Sequence, residues 1–430
     1  MSLIGPGLRL PRHRGTTANL CAIYPFQAGQ GLGPRGVYLG SDVLTGGGAF
    51  CYDPFELYTQ GLLTSPNMLV LGDVGSGKST AVKTLLFRSV GVLGSPGGAH
   101  RWVAIVDPKG EYQPLAEALD LAVLRLRPGG STRLNPLEGG PAESDELIAR
   151  RAGLVAALIS ELLGRDLGPL EDAAVGWAVT DLTRTPRRTP PVLGDLVRLL
   201  ADPSREMLGR ARLPAKDLVG ELAAARHALG KLLDRDLRGM FDGPSTVDVD
   251  WAGRGLVIDL SAVHQDPLAL RLVMVAATGW LQTVMASHAS GPGVRRYQVL
   301  EEVWALLASE RTAKYLQSAF KLARAYGVAN IAVAHRIADL YAQADDGTAA
   351  AKAAAGLLSD TQTRVLFRQP PDQVDQARRL LGLTSAEAGL LPELAKGRAL
   401  WKVAGRSAIV QHVLAPAERA LCDTDARLLV

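Results

Sequence analysis

Asn67-Met-Leu-Val-Leu-Gly-Asp-Val-Gly-Ser-Gly-Lys-Ser-Thr80 constrains this chain more than any other stretch. Met68 to Leu71 is a short apolar run, long enough for a buried strand. Gly72 to Ser79 satisfies G-x-x-x-x-G-K-[ST], and Thr80 to Val90 continues in a helical pattern. Strand, glycine-rich turn and helix, in that order, is the context in which this pattern cradles phosphate. The glycines let backbone N–H groups curl round a phosphate chain, and the helix N-terminus adds its partial positive charge. Gly72, Asp73, Val74, Gly75, Ser76, Gly77, Lys78, Ser79 and Thr80 are therefore expected to form a nucleotide site. Within it Lys78 is expected to reach the β- and γ-phosphates of ATP, and Ser79 to hold Mg²⁺.

Further apolar runs end abruptly on polar residues. Val103 to Val106 is continuous, as a parallel strand covered on both faces should be, and Asp107, Lys109 and Glu111 follow it. Open α/β sheets bind ligands at such strand ends. Leu121 to Leu126, Gly255 to Ser261, Ala329 to Ala334 and Gln362 to Arg368 read as strands; Val299 and Leu300 end another, and Arg398 to Val403 and Ala408 to Val413 pair near the end. Helical patterns lie between most of them, so the expected fold is α/β, with a doubly wound, mainly parallel twisted sheet.

Two regions depart from that alternation. Residues 143–236 carry Ala, Leu, Arg and Glu in helical spacing, and are expected to form an inserted all-helical subdomain dividing an α/β core of 61–142 and 237–430. Its Arg184, Arg187 and Arg188 suit a solvated face or a partner surface. Residues 1–60 read as a basic tail with Arg9, Arg12 and Arg14, then a small β-element. In that element Val37 to Gly40 and Ala49 to Tyr52 are joined by a glycine-rich hairpin at Thr45 to Gly48. Aromatics here, including Tyr24 and Phe26, could border an adenine or pack in the core.

Composition bounds the rest. A net charge of +4 over 430 residues does not by itself argue for nucleic acid. Cys21, Cys51 and Cys422 have neither metal-ligand spacing nor a disulfide framework, and no signal-peptide pattern opens the chain, so a cytoplasmic setting is expected. Leu268 to Ala286 is apolar but contains Arg271, which suits a buried helix better than a membrane span. Membrane contact is expected only through partners.

Hydrolysis needs a carboxylate near Mg²⁺ and a group that polarises water. Glu301 and Glu302 at a strand tip supply both. Glu301 is assigned to the metal shell through water, and Glu302 to the attacking water, since neighbours on a regular strand face opposite ways. The other reading of the pair is a cap opening a helix at Val303. His335 ends the next strand, where a γ-phosphate sensor or a structural histidine would sit. Arg324, Arg364 and Arg368 are candidates for an arginine finger across a subunit boundary.

Six stretches in order carry a resemblance. Gly72-Asp-Val-Gly-Ser-Gly-Lys-Ser79, Val106-Asp-Pro-Lys-Gly-Glu-Tyr112, Leu134-Asn-Pro-Leu137, Phe241-Asp-Gly-Pro-Ser-Thr246, Leu300-Glu-Glu-Val-Trp304 and Ala334-His-Arg-Ile-Ala-Asp-Leu340 are similar to those of conjugation and type IV secretion ATPases. The chain resembles a short actinobacterial member of that group, within the HerA–FtsK class of P-loop motors. The resemblance implies a RecA-like core, a homo-hexameric ring, and ATP turnover coupled to moving DNA or protein across an envelope beside membrane-bound transfer components. Two positions depart from the family pattern: Glu301 stands where Asp is usual, and His335 where the sensor is usually Gln. Three functions follow as expectations: a conjugative transfer motor, a DNA translocase or coupling ATPase, and a nucleotide-gated assembly factor with little turnover.

Overall fold

The uninterrupted apolar runs become the inner strands of one large sheet. A computed structural model of the chain describes residues 31–44, 46–94, 100–138, 144–287, 294–307, 309–335 and 355–422. The basic tail, Cys21, Tyr24, Phe26, Thr45 and the Arg336 to Leu340 part of the last motif lie outside these residues.

Strands β1 (Val37–Asp42) and β2 (Gly48–Tyr52) form the expected antiparallel pair. Helix α1 (Pro54–Thr59), β3 (Met68–Leu71), α2 (Lys78–Leu93), β4 (Arg101–Asp107), α3 (Gln113–Leu119) and β5 (Ala122–Arg125) follow. A run of helices separates β5 from the next strand: α4 (Asp145–Leu163), α5 (Pro169–Arg184), α6 (Leu193–Ala201), α7 (Arg205–Ala211), α8 (Ala215–Glu221) and α9 (Ala223–Lys231). Then come β6 (Gly255–Asp259), α10 (Pro267–Ser287), β7 (Arg295–Leu300), α11 (Glu310–Ala323), β8 (Val328–Ala334) and β9 (Thr363–Leu366). The last elements are α12 (Val374–Leu381), α13 (Ser385–Leu390), β10 (Arg398–Val403), β11 (Arg406–His412) and α14 (Pro416–Cys422).

The sheet runs β2-β1-β11-β10-β9-β3-β8-β7-β4-β6-β5. From β9 to β5 every pairing is parallel, and from β9 outward to β2 every pairing is antiparallel. Period-2 alternation sorts each strand between two apolar layers. Leu69, Leu71, Trp102, Ala104 and Val106 pack into the layer that also holds Leu154 of α4 and Val273 of α10. Met68, Val70, Val103 and Ile105 pack with Val82 and Leu86 of α2. The helical run therefore shares its core with the sheet instead of closing a separate one.

Helix α10 is long and apolar enough to cross a bilayer, but 78% of its most apolar window is buried inside the fold. Phe50 and Tyr52 pack on Trp401 with ring centroids 5.1 and 5.0 Å apart, so these two aromatics of β2 serve the core. Arg184 pairs with Asp145 and Arg187 with Asp195. Cys51 and Cys422 are free thiols.

Candidate functional site

Parallel register brings the chemistry to one edge. Leu71 of β3 pairs with Ala334 of β8, Leu300 of β7 with Ala332, and Val106 of β4 with Leu300. Gly72, His335 and the Glu301–Glu302 pair directly follow those strand ends, and Asp107 is the last residue of β4. The side chains of Asp107, Glu301 and His335, with the residues after Asp107 and a segment near the C-terminus, border a cleft of about 540 Å³, while Glu302 is buried beside His335. Its walls include Lys78, Ser79, Lys109, Tyr112, Glu301 and His335, together with Lys396, Leu414 and Arg419. That size suits a nucleotide-sized ligand.

The glycine turn is held open by close backbone packing. Gly77 precedes α2 at φ 112°, and a Cβ there would lie 3.3 Å from the backbone of Gly397. A Cβ on Gly72 would fall 2.4 Å from the Cβ of Phe367. Gly72 N–H donates to the carbonyl of His335 and Asp73 N–H to that of Arg368, so the turn hangs between β8 and β9. Lys78 is buried, and its Nζ donates to the carbonyls of Gly72 at 2.5 Å and Asp73 at 2.9 Å. Burial pulls its pKa down to about 8, against the opposing pull of Glu301 and Glu302.

His335 links the turn to the carboxylates. Its Nδ1 lies 3.1 Å from Lys78 Nζ, and its Nε2 lies 2.7 Å from Glu302 Oε1. A neutral imidazole satisfies both by accepting at Nδ1 and donating from Nε2. Glu302 also takes the Lys109 ammonium and the Trp304 indole N–H. It is 4% exposed and holds a left-handed backbone at φ 52°. Such a conformation costs about 1 kcal/mol or more for a residue with a Cβ, and persists where surrounding contacts over-determine it. Burial works against its charge, but the hydrogen bonds from His335 and Lys109 hold its pKa at about 2.

Glu301 has a different environment. It faces the cleft and accepts a 2.5 Å hydrogen bond from the Tyr112 hydroxyl. Burial pushes its pKa up to about 7, with Asp107 and Glu302 adding to the rise. The regular strand alternation assumed for the pair does not apply, because β7 stops at Leu300 and a 3-10 turn begins at Val303. The pair therefore also leads into a helical turn, and its two side chains separate through the left-handed Glu302.

Asp107 organises the segment that carries Lys109. Its carboxylate accepts from the N–H groups of Lys109, Gly110 and Tyr112 at 3.2, 2.9 and 2.9 Å. Lys109 Nζ lies 3.0 Å from His335 Nε2. Lys109 and Tyr112 stand in the Val106 to Tyr112 stretch, whose sequence by itself assigns neither a role. Lys396, Leu414 and Arg419 carried no signal, since contacts over such separations leave no local pattern.

The arginines fall apart as a group. Arg364 Nη1 and Nη2 donate to the carbonyls of Leu381 at 2.5 Å and Leu358 at 2.9 Å. It sits within β9 opposite Leu69, partly buried and engaged inside its own chain. The expectation of a finger at Arg364 is corrected accordingly: its guanidinium is committed to internal carbonyls. Arg368 is exposed beside the glycine turn. Arg324 opens a 3-10 turn before β8, and its side chain lies outside the described residues.

No trio of His, Cys, Asp or Glu among the described residues could hold a metal ion alone. Ser79 and Glu301 both offer oxygen atoms to this cleft. That set suits Mg²⁺ with phosphate oxygens and water completing the shell.

Residues 57–151 match the family described as helicase HerA, central domain (DUF87), less than half of the chain. No curated protein sequence matches significantly. Among solved structures, VirB4 of Thermoanaerobacter pseudethanolicus superposes with a TM-score of 0.73 at 20% identity, covering 91% of this chain and 100% of that one. The plasmid coupling protein TrwB in complex with ADP and Mg²⁺ gives a TM-score of 0.56 at 17% identity over 83% of this chain and 87% of that one. An unbound form described as the bacterial conjugative coupling protein TrwBdeltaN70 gives 0.58 at 16% identity over 96% of each. The parallel sheet and the glycine turn thus stand in a RecA-like P-loop fold shared with VirB4 and TrwB.

Proposed function

We propose that this chain is an ATP-hydrolysing motor of conjugative DNA transfer or of a related type IV secretion system. The observation that carries the reading is the convergence of Lys78, Ser79, Glu301 and His335 on one cleft at the ends of parallel strands. The likeness to TrwB, described as a conjugative coupling protein and solved with ADP and Mg²⁺, supports the choice of ligand and of process.

The roles follow from position. Backbone N–H groups of residues 72–80 and the start of α2 bind the phosphates, and Lys78 exchanges its carbonyl contacts for phosphate oxygens. Ser79 and, through water, Glu301 hold Mg²⁺, which when bound neutralises phosphate charge. Glu302 orients and polarises the water that attacks the γ-phosphorus as the bond to the β–γ bridging oxygen breaks. His335 senses the γ-phosphate. Arg324 is the finger supplied by a neighbouring subunit of a homo-hexamer. Residues 143–236 act as an inserted helical subdomain on the 61–142 and 237–430 core. The ring works on the cytoplasmic side of a membrane beside transfer components, and DNA passes through it.

Phosphate release with and without single- and double-stranded DNA, at low and raised salt, tests this. Stimulation by DNA that fades as salt rises is expected, because phosphate contacts release counterions. A rate indifferent to both DNAs at low salt would count against a DNA motor. A second reading, a nucleotide-gated assembly factor, is favoured by the engagement of Glu302 with Lys109, His335 and Trp304. ATP-dependent oligomer mass with phosphate release at background would select it.

A further inference from the structure

Two lysines in the cleft rest on stand-in acceptors. Lys78 Nζ donates to the carbonyls of Gly72 and Asp73. Lys109 Nζ pairs with Glu302, the carboxylate assigned to the attacking water. The two ammonium groups approach the same imidazole, Lys78 at Nδ1 and Lys109 at Nε2. Both border the cleft, so phosphate oxygens near His335 would lie within reach of both.

Lys109 is also built to be aimed. Its backbone is pinned by the Asp107 carboxylate, which accepts the N–H groups of Lys109, Gly110 and Tyr112 just after β4. Gly110 takes φ 71° in that turn and lies against Ser261, where a Cβ would sit 3.4 Å from the serine Cβ. The Lys109 side chain remains 34% exposed, whereas the Glu302 side chain is 5% exposed. In this pair the lysine is the partner free to turn, and the glutamate is the one held, by His335 and Trp304.

We propose that Lys109 is a second γ-phosphate ligand that masks Glu302 until ATP arrives. In the empty site its ammonium satisfies the Glu302 carboxylate. A γ-phosphate draws that ammonium away, because a phosphate oxygen carries more charge and takes a charge-assisted hydrogen bond. Glu302 then keeps the donors from Trp304 on Oε2 and His335 on Oε1, and the acceptor position that the ammonium held on Oε1 becomes available to water. Nucleotide lacking the γ-phosphate leaves Lys109 where it is. One side chain thereby couples discrimination between ATP and ADP to exposure of the catalytic carboxylate. This rests on the site reading above and adds to it the residue that reads the third phosphate.

Equilibrium binding separates the two. Affinities of wild type, Lys109→Met and Lys109→Arg are measured for ADP and for the β,γ-imido analogue of ATP, each with Mg²⁺. Lys109→Met is expected to lose about tenfold in affinity for the analogue, the scale of one charge-assisted hydrogen bond, with ADP affinity within about twofold. Lys109→Arg is expected to restore most of the preference. Equal effects on both nucleotides, or none on either, would overturn the proposal, as would an arginine variant as poor as the methionine one. Wild-type protein that binds neither nucleotide would overturn the site reading itself, and this inference with it.

Discussion

Tyr112 is 1% exposed, and its hydroxyl is the donor that fixes Glu301 at the cleft wall. Tyr112→Phe keeps the packing and removes only that donor. Turnover is expected to fall about tenfold, with nucleotide affinity within about twofold, because a carboxylate free to wander by about 1 Å loses its productive geometry. Steady-state rates beside equilibrium binding check this; an unchanged turnover number would remove Tyr112 from the role. Glu301 and Glu302 show why their assignment needed coordinates. As neighbours in sequence they are equivalent acids. In the fold burial and neighbouring carboxylates push the pKa of Glu301 up to about 7, while the hydrogen bonds from an imidazole and a lysine overcome burial and hold that of Glu302 at about 2.

At the scale of elements, the antiparallel strands brace the parallel ones. Glu387 caps α13 by accepting the Thr384 N–H at 2.7 Å, and ties the helix to β10 and β11 through Lys402 at 3.0 Å and the Ser407 hydroxyl. Partial burial opposes its charge, yet those donors hold its pKa at about 2, below the ordinary 4.5. A depressed folded pKa contributes stability that is complete above the ordinary value and is lost as pH falls through the folded one. Glu387→Gln is therefore expected to cost about 2 kcal/mol at neutral pH, with the difference from wild type shrinking as pH falls below 4.5 toward 2. Denaturant unfolding at pH 7 and pH 3 measures it; a difference that does not change with pH would contradict the assignment. Strand existence was legible in the chain because runs such as Met68 to Leu71 and Val103 to Val106 are apolar without interruption. Strand order was not. β1 pairs with β11 across nearly the whole chain, and no local pattern reports such a partner. The P-loop, the carboxylate pair and His335 were legible because each sits at the polar end of an apolar run. The commitment of Arg364 to Leu358 and Leu381 was not, since a guanidinium in sequence says nothing of the carbonyls it will meet.

Taken as a whole, the molecule hangs its phosphate-binding helix between the two ends of the described chain. Arg88 of α2 meets Glu418 of α14 through two hydrogen bonds at 2.7 and 2.5 Å, and donates to the carbonyls of Val413 and Tyr38. Movement of α2 on phosphate binding would thus be felt at β1 and α14 together. Such transmission suits a motor, but only if the cleft turns ATP over. The direct measurement is nucleotide binding and phosphate release on the same samples of wild type, Lys78→Ala and Glu302→Gln. Lys78→Ala is expected to lose binding, and Glu302→Gln to bind ATP while hydrolysing it at least about a hundredfold more slowly than wild type. Turnover by Glu302→Gln equal to wild type, or unimpaired ATP binding by Lys78→Ala, would contradict this expectation.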